Sequence, residues 1–337
     1  MMKKLVRKYF GARRTLVLGL VAGIVFLVGS GSVMANPSFW KFEWPRTDFK
    51  NKSVEYGEIM SGGPPKDGIP PIDNPKFTDV SKVKGLAPTV PVISFTLNGE
   101  SKAYPLGILM RHEIVNDRVG GVPVAVTYCP LCNAAIVFDA RLDGKVLDFG
   151  TTGKLRNSDI VMYDRQTESW WQQFLGEGIV GSMTGKRLKM LPSRIEAWGR
   201  YKKAHPKGKV LLAAFPSMGF GGNPYGGYDS SAQPFLYRGP LPNGIPPLMR
   251  VVAVGDEAWS IALLRKQKRI EVKDLVLTWE AGQNSALDTR DISKGKDVGN
   301  VIVQRKTKNG LVDAVHDVTF AFTFHAFKPK GKLHHTR

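Results

Sequence analysis

Beyond residue 89 the chain alternates apolar and polar positions in the manner of β-strands. Val90 to Leu97 alternates apolar with small polar residues and runs into Asn98-Gly99, a turn signal. Gly121 to Tyr128 is rich in β-branched residues. Ala134 to Phe138 and Lys145 to Phe149 flank Asp143-Gly144, which reads as a hairpin turn. Helical periodicity is sparse: Leu106 to Arg111 predicts one short helix, and Glu196 to Ala204 another that ends before His205-Pro206. The pattern predicts a mainly β protein with a few short helices.

The pattern also recurs. Gly99-Glu100, Ala103-Tyr104-Pro105-Leu106 and Leu109 match Gly255-Asp256, Ala258-Trp259-Ser260-Ile261 and Leu264 in the same order. Val126-Thr127-Tyr128 matches Leu277-Thr278-Trp279, Asn133-Ala134-Ala135 matches Asn284-Ser285-Ala286, and Asp139-Ala140-Arg141 matches Asp288-Thr289-Arg290. Order-preserving matches of this kind predict an internal duplication of a β unit.

The first 88 residues differ. Lys3, Lys4, Arg7, Lys8, Arg13 and Arg14 precede an apolar run from Leu16 to Val28, and Val33-Met34-Ala35 offers small residues at a cleavage site. This reads as a signal peptide, with an uncleaved anchor as the alternative, since the run is short of the ~20 apolar residues of a membrane span. Residues 36 to 88 are rich in Pro and Gly, and Ser61 to Pro71 suits neither a helix nor a central strand. The expected organisation is a signal at 1–35, an extended segment at 36–88, a first β unit at 89–215, a flexible Gly/Tyr/Pro-rich connector at 216–248, a second β unit at 249–329 and a basic tail at 330–337.

An export signal places the protein in the periplasm or outside the cell. The chain carries a net charge of +19, six units of it within the first 35 residues, which leaves +13 after cleavage. Nucleic acid is an unsuitable partner for an exported protein; the charge suits anionic membrane or cell-wall surfaces, but its scatter along the chain reads better as a solubility feature.

The two cysteines of the chain stand three apart, in Thr127-Tyr128-Cys129-Pro130-Leu131-Cys132-Asn133. In an exported protein such a pair is a disulfide, a redox couple or a soft-metal clamp. A bond between them would close a four-residue loop, for which the chain-entropy expression gives only about 2 kcal/mol. A helix N-terminus, which activates the thiols of thioredoxin-like enzymes, is missing from the predicted strand context. Two thiolates at this spacing can grip copper or zinc, and His112 is the favoured third ligand. Met110, Met162 and His205 are further options, whereas His316 and His325 lie in the second half and His334 and His335 in the basic tail. The repeat adds an asymmetry: Glu280 and Gln283 stand in the second copy where Cys129 and Cys132 stand in the first. A pair needed only for the fold would be needed twice.

Other constellations are weaker. Asp159 and Asp164 could serve acid–base chemistry, but read better as turn and strand-end residues. Trp170 and Trp171, with Tyr225 and Tyr228 of the loop from Gly219 to Tyr228, could form a stacking platform under a lid. Nucleotide-loop, zincin and nucleophile-elbow motifs are absent.

His112 to Asp117, Thr127 to Cys132 and Asn157 to Arg165 resemble the signature blocks of domain-of-unknown-function family 3179, over roughly Pro88 to Pro329. Ala321 to Phe327 is similar to that family's aromatic end segment. The resemblance implies one domain with a Cys-Pro-X-Cys pair and an export signal, and implies no activity. Two functions remain open: a thiol-pair site that binds a soft metal or cycles between dithiol and disulfide with an envelope metal-handling or thiol-redox partner, or a non-catalytic envelope module shaped by a disulfide.

Overall fold

The computed structural model describes residues 37–213 and 223–336. The predicted signal at 1–35 and the lid glycines Gly219, Gly221 and Gly222 lie outside the described residues. The described chain is mainly β, with five short helices: α1 (Pro37–Glu43), α2 (Leu106–Leu109), α3 (Trp198–Ala204), α4 (Ile261–Gln267) and α5 (Ala321–Phe327). None of these is long and apolar enough to cross a membrane. The strands form five sheets of four or five strands and one two-stranded ribbon, in which Arg141–Leu142 pairs with Lys145–Val146 around Asp143-Gly144.

The duplication is present and is longer than the sequence matches. Each copy opens with a hairpin, Pro91–Leu97 with Glu100–Pro105 in the first and Arg250–Val254 with Glu257–Ser260 in the second. A helix follows, α2 or α4. Next comes a three-stranded meander, Ile114–Val119, Val122–Cys129 and Ala134–Asp139 in the first copy, and Arg269–Val272, Leu275–Glu280 and Asn300–Thr307 in the second. A return strand then pairs antiparallel with the hairpin's first strand, Ile195 opposite Ile93 and Val318 opposite Val252. After α3 or α5, a closing strand pairs parallel with the hairpin's second strand, Lys209 opposite Lys102 and Lys332 opposite Glu257. Strand order, direction and register thus agree between the copies.

The copies interlock. The first meander packs its last strand beside the second copy's return strand, and the second meander does the same beside the first copy's. Asn133 Nδ2 donates to the Val318 carbonyl (2.6 Å), and the Ala197 amide donates to Asn300 Oδ1 (2.8 Å). Between its meander and its return strand the first copy carries an additional sheet built on Phe149–Arg156, Asp159–Asp164, Trp170–Gln172 and Glu177–Val180. In the second copy the same interval holds only an edge strand, Gly310–Asp313.

The segment before the first copy lies along this additional sheet. Ile59–Ser61 adds to its edge against Lys154, Leu155 and Arg156. Trp40 of α1 and Trp44, the residue after the helix, both pack against Trp170.

Candidate functional site

Cys129 ends the central strand of the first meander, opposite Ala134. The chain reverses through Pro130 to Asn133, closed by the Asn133 amide donating to the Pro130 carbonyl (3.2 Å), with Asn133 in the left-handed region (φ 52°). Both cysteines are free thiols and fully buried. The seam between the copies pins the second of them: the Cys132 carbonyl accepts from Thr319 Oγ1 (2.8 Å) and from the Phe320 amide (3.2 Å). The Thr323 hydroxyl, buried and without an oxygen or nitrogen partner among the described residues, stands beside the Cys132 sulfur and favours its thiolate.

The additional sheet brings a carboxylate to this pair. Asn157 and Ser158 both have positive φ (53° and 65°), so the chain turns tightly between two strands and starts the second of them at Asp159. The Cys129 thiol points at the Ser158 carbonyl (3.6 Å). Asp159 Oδ2 accepts from Gln172 Nε2 (2.6 Å) and the Phe174 amide (2.9 Å), whereas Oδ1 has no hydrogen-bond partner among the described residues. A ligand atom from each of Cys129, Cys132 and Asp159 lies within 4.8 Å of the other two.

Burial sets the electrostatics. It pushes the Asp159 carboxyl up to about 7, against the hydrogen bonds from Phe174 and Gln172 and the favourable pull of the two nearby thiols. Burial also raises the Cys129 thiol and raises the Cys132 thiol further. Glu113, buried nearby and in the left-handed region (φ 58°), is pushed to about 8 by burial and then by the Asp159 charge. Burial therefore makes these acids costly to ionise, a cost that a bound cation would lower.

A cavity of about 150 Å³ reaches the site. Its lining includes Cys129, Glu113, Tyr225 and Leu236, and extends to the exposed Gly62 and Phe235.

The structure brings together Cys129, Cys132 and Asp159, and leaves His112 outside that group. The His112 Nδ1 is instead engaged with the Pro70 carbonyl at 2.8 Å. None of the other histidines joins the group, and Met110 and Met162 are packed into the core. The stacking platform does not form: Trp170 and Trp171 are both fully buried. Trp170 belongs to the aromatic cluster with Trp44 and Phe49, and Trp171 Nε1 donates to Asp164 Oδ2 (2.9 Å). Tyr225 lines the cavity together with Cys129, and the Tyr228 hydroxyl donates to the Leu131 carbonyl (3.0 Å) between the two cysteines.

Sequence reasoning set Asp159 aside as a turn residue and overlooked Glu113 and Thr323. A usable signal existed for Glu113. Its counterpart Lys268 has the same left-handed backbone (φ 63°), and the same amide bond from the next strand closes both, Tyr128 to the Glu113 carbonyl (2.8 Å) and Trp279 to the Lys268 carbonyl (2.9 Å). The conformation belongs to the repeat, but the acid belongs to the copy with the thiols.

No curated protein and no solved structure matches this chain. One family model does, over residues 66–331, most of the chain and the whole of both copies up to the second closing helix. The chain belongs to the family described as protein of unknown function DUF3179.

Proposed function

We propose that this is an exported protein whose Cys129, Cys132 and Asp159 hold one thiophilic ion, Zn(II) or Cu(I). The observation that carries the reading is Asp159 Oδ1, a buried oxygen with no partner among the described residues, beside two buried sulfurs. An unpaired buried carboxylate oxygen is costly, and a bound cation offsets that cost. Ligand atoms around one tetrahedral ion, with bonds near 2.3 Å to sulfur and 2.0–2.2 Å to oxygen, stand about 3.5–3.8 Å apart. The group needs only small side-chain adjustments to reach that spacing.

A thiol–disulfide couple is less well supported. A reactive thiol is one whose pKa is lowered and whose sulfur is accessible. Here burial raises both thiols and covers both sulfurs. A metal changes this balance, because coordination deprotonates the thiols and releases the protons.

The test is native mass spectrometry of the reduced chain after incubation with Zn(II) or Cu(I), followed by competition against a chromophoric chelator. One ion per chain is expected for the wild type. The Cys129→Ser, Cys132→Ser double variant should retain none, and Asp159→Asn should bind weaker by an order of magnitude or more. A reduced wild type that retains neither ion would end the proposal, as would a double variant that binds as well as the wild type.

A further inference from the structure

Neither sulfur is exposed, so an ion bound there must have a way in. The 150 Å³ cavity has the right ends: Cys129 and Glu113 line its interior, and Gly62 and Phe235 line it at the surface. The larger cavities beside Asp73, His316 and Arg265 include none of the three proposed ligands.

The walls are mostly apolar, with Leu155, Ile160 and Leu236 among them. Four polar side chains interrupt them. Thr151 is satisfied, its hydroxyl donating to the Ile69 carbonyl (2.8 Å). The Lys154 ammonium is held by Glu43 (3.2 Å) and the Thr152 carbonyl (3.3 Å). The other two are the Glu113 carboxyl and the Tyr225 hydroxyl, which make no hydrogen bond or ion pair among the described residues. A buried carboxyl without a partner persists only where something else requires it. At the matching backbone position the second copy carries Lys268, whose ammonium lies over the Trp279 ring at 4.1 Å. The repeat therefore does not require the acid.

We infer that this cavity is the path by which the ion enters and leaves, with the Glu113 carboxyl as a transient ligand that receives it before Cys129. The inference rests on the metal-site reading above. Glu113 lies outside the three-residue group, so it acts on the transfer and not on the final complex. A carboxyl at the inner end of an apolar channel gives an entering cation an oxygen ligand where the apolar walls offer none, and the proton leaves as the ion binds.

The experiment follows Zn(II) uptake by the reduced full chain in stopped flow, and Zn(II) release to excess chelator. The equilibrium affinity is measured separately. Glu113→Gln is expected to slow uptake and release together by about tenfold, the scale on which a partner beside a metal site acts, with the dissociation constant unchanged. Leu236→Trp, which fills the channel without touching a ligand, should slow both steps in the same way, and it carries the test if Glu113→Gln fails to fold. Unchanged rates in the folded variants would overturn the route. A lost equilibrium affinity in Glu113→Gln would overturn the transient role, because it would make Glu113 a permanent ligand. A wild type that takes up no ion would overturn the metal site itself, an outcome separate from both.

Discussion

Three carboxyl groups sit in this interior with their acid forms favoured: Asp159 at about 7, Glu113 at about 8 and Asp317 at about 8, burial being the first cause in each case. Asp317 accepts the Ala135 amide on Oδ1 (3.0 Å), and its Oδ2 has no partner. The unfolded chain loses these protons near the ordinary values of 3.8 for Asp and 4.5 for Glu. Between those values and about 8 the folded metal-free protein therefore binds more protons than the unfolded chain, and stability falls as pH rises. The urea midpoint of the metal-free protein should drop steadily from pH 4 to pH 8. Asp317→Asn, which has no charge to bury, should flatten part of that slope. A midpoint that rises over the same range would show that these carboxyls are ionised and satisfied in the folded state.

At the scale of elements, close approach decides where glycine stands. In the closing turns, a Cβ on Gly208 would lie 2.4 Å from the Tyr201 hydroxyl oxygen, and one on Gly331 would lie 2.7 Å from Phe324 Cζ. Tyr201 and Phe324 hold matching places in α3 and α5, so the same ring-on-turn contact is made twice. At Gly153 the demand is greater. Its φ is +68°, and a Cβ would come within 1.9 Å of the Pro64 carbonyl oxygen, in the strap that covers the cavity. The strap is tied down by the Gly62 amide on the Gly153 carbonyl (2.8 Å) and the Asp67 amide on the Thr151 carbonyl (2.9 Å). Gly153→Ala combines backbone strain with a displaced strap, and should cost about 2–5 kcal/mol, read from urea unfolding. A loss under about 0.5 kcal/mol, the scale of an ordinary surface change, would mean that the strap moves aside freely.

At the scale of the molecule, the duplicated units are not independent. Each meander lies against the other copy's return strand, and the thiol site combines a turn from the first copy, a carboxylate from the additional sheet and Thr323 from the second copy. A single cooperative unfolding transition is therefore expected from residue 37 onward, by tryptophan fluorescence and circular dichroism alike. Two separable transitions would contradict the interlock. Asn300→Ala removes the acceptor of the buried Ala197 amide on the opposite side of the seam from the thiols. It should cost about 1–3 kcal/mol and leave metal stoichiometry unchanged.

Much of this was legible without coordinates, and the reason is local. Strand alternation, Asn98-Gly99, Asp143-Gly144 and the spaced matches between copies are short-range signals, and they predicted a mainly β fold with a repeated unit. His205-Pro206-Lys207-Gly208-Lys209 and Lys328-Pro329-Lys330-Gly331-Lys332 carry the same repeat into its closing turns and were equally available. The cysteine spacing marked the site as well. Its composition was decided by tertiary structure alone. Asp159 lies 27 residues beyond Cys132, in a sheet with no equivalent in the second copy, and Thr323 lies 191 residues beyond it. His112 is drawn away by a carbonyl of the N-terminal segment, and both tryptophans go to the core because the additional sheet buries both of its faces there. Hydrophobic periodicity records which face of a strand is covered. It does not record which distant strand covers it, and that partner is what turns a pair of thiols into a three-ligand site.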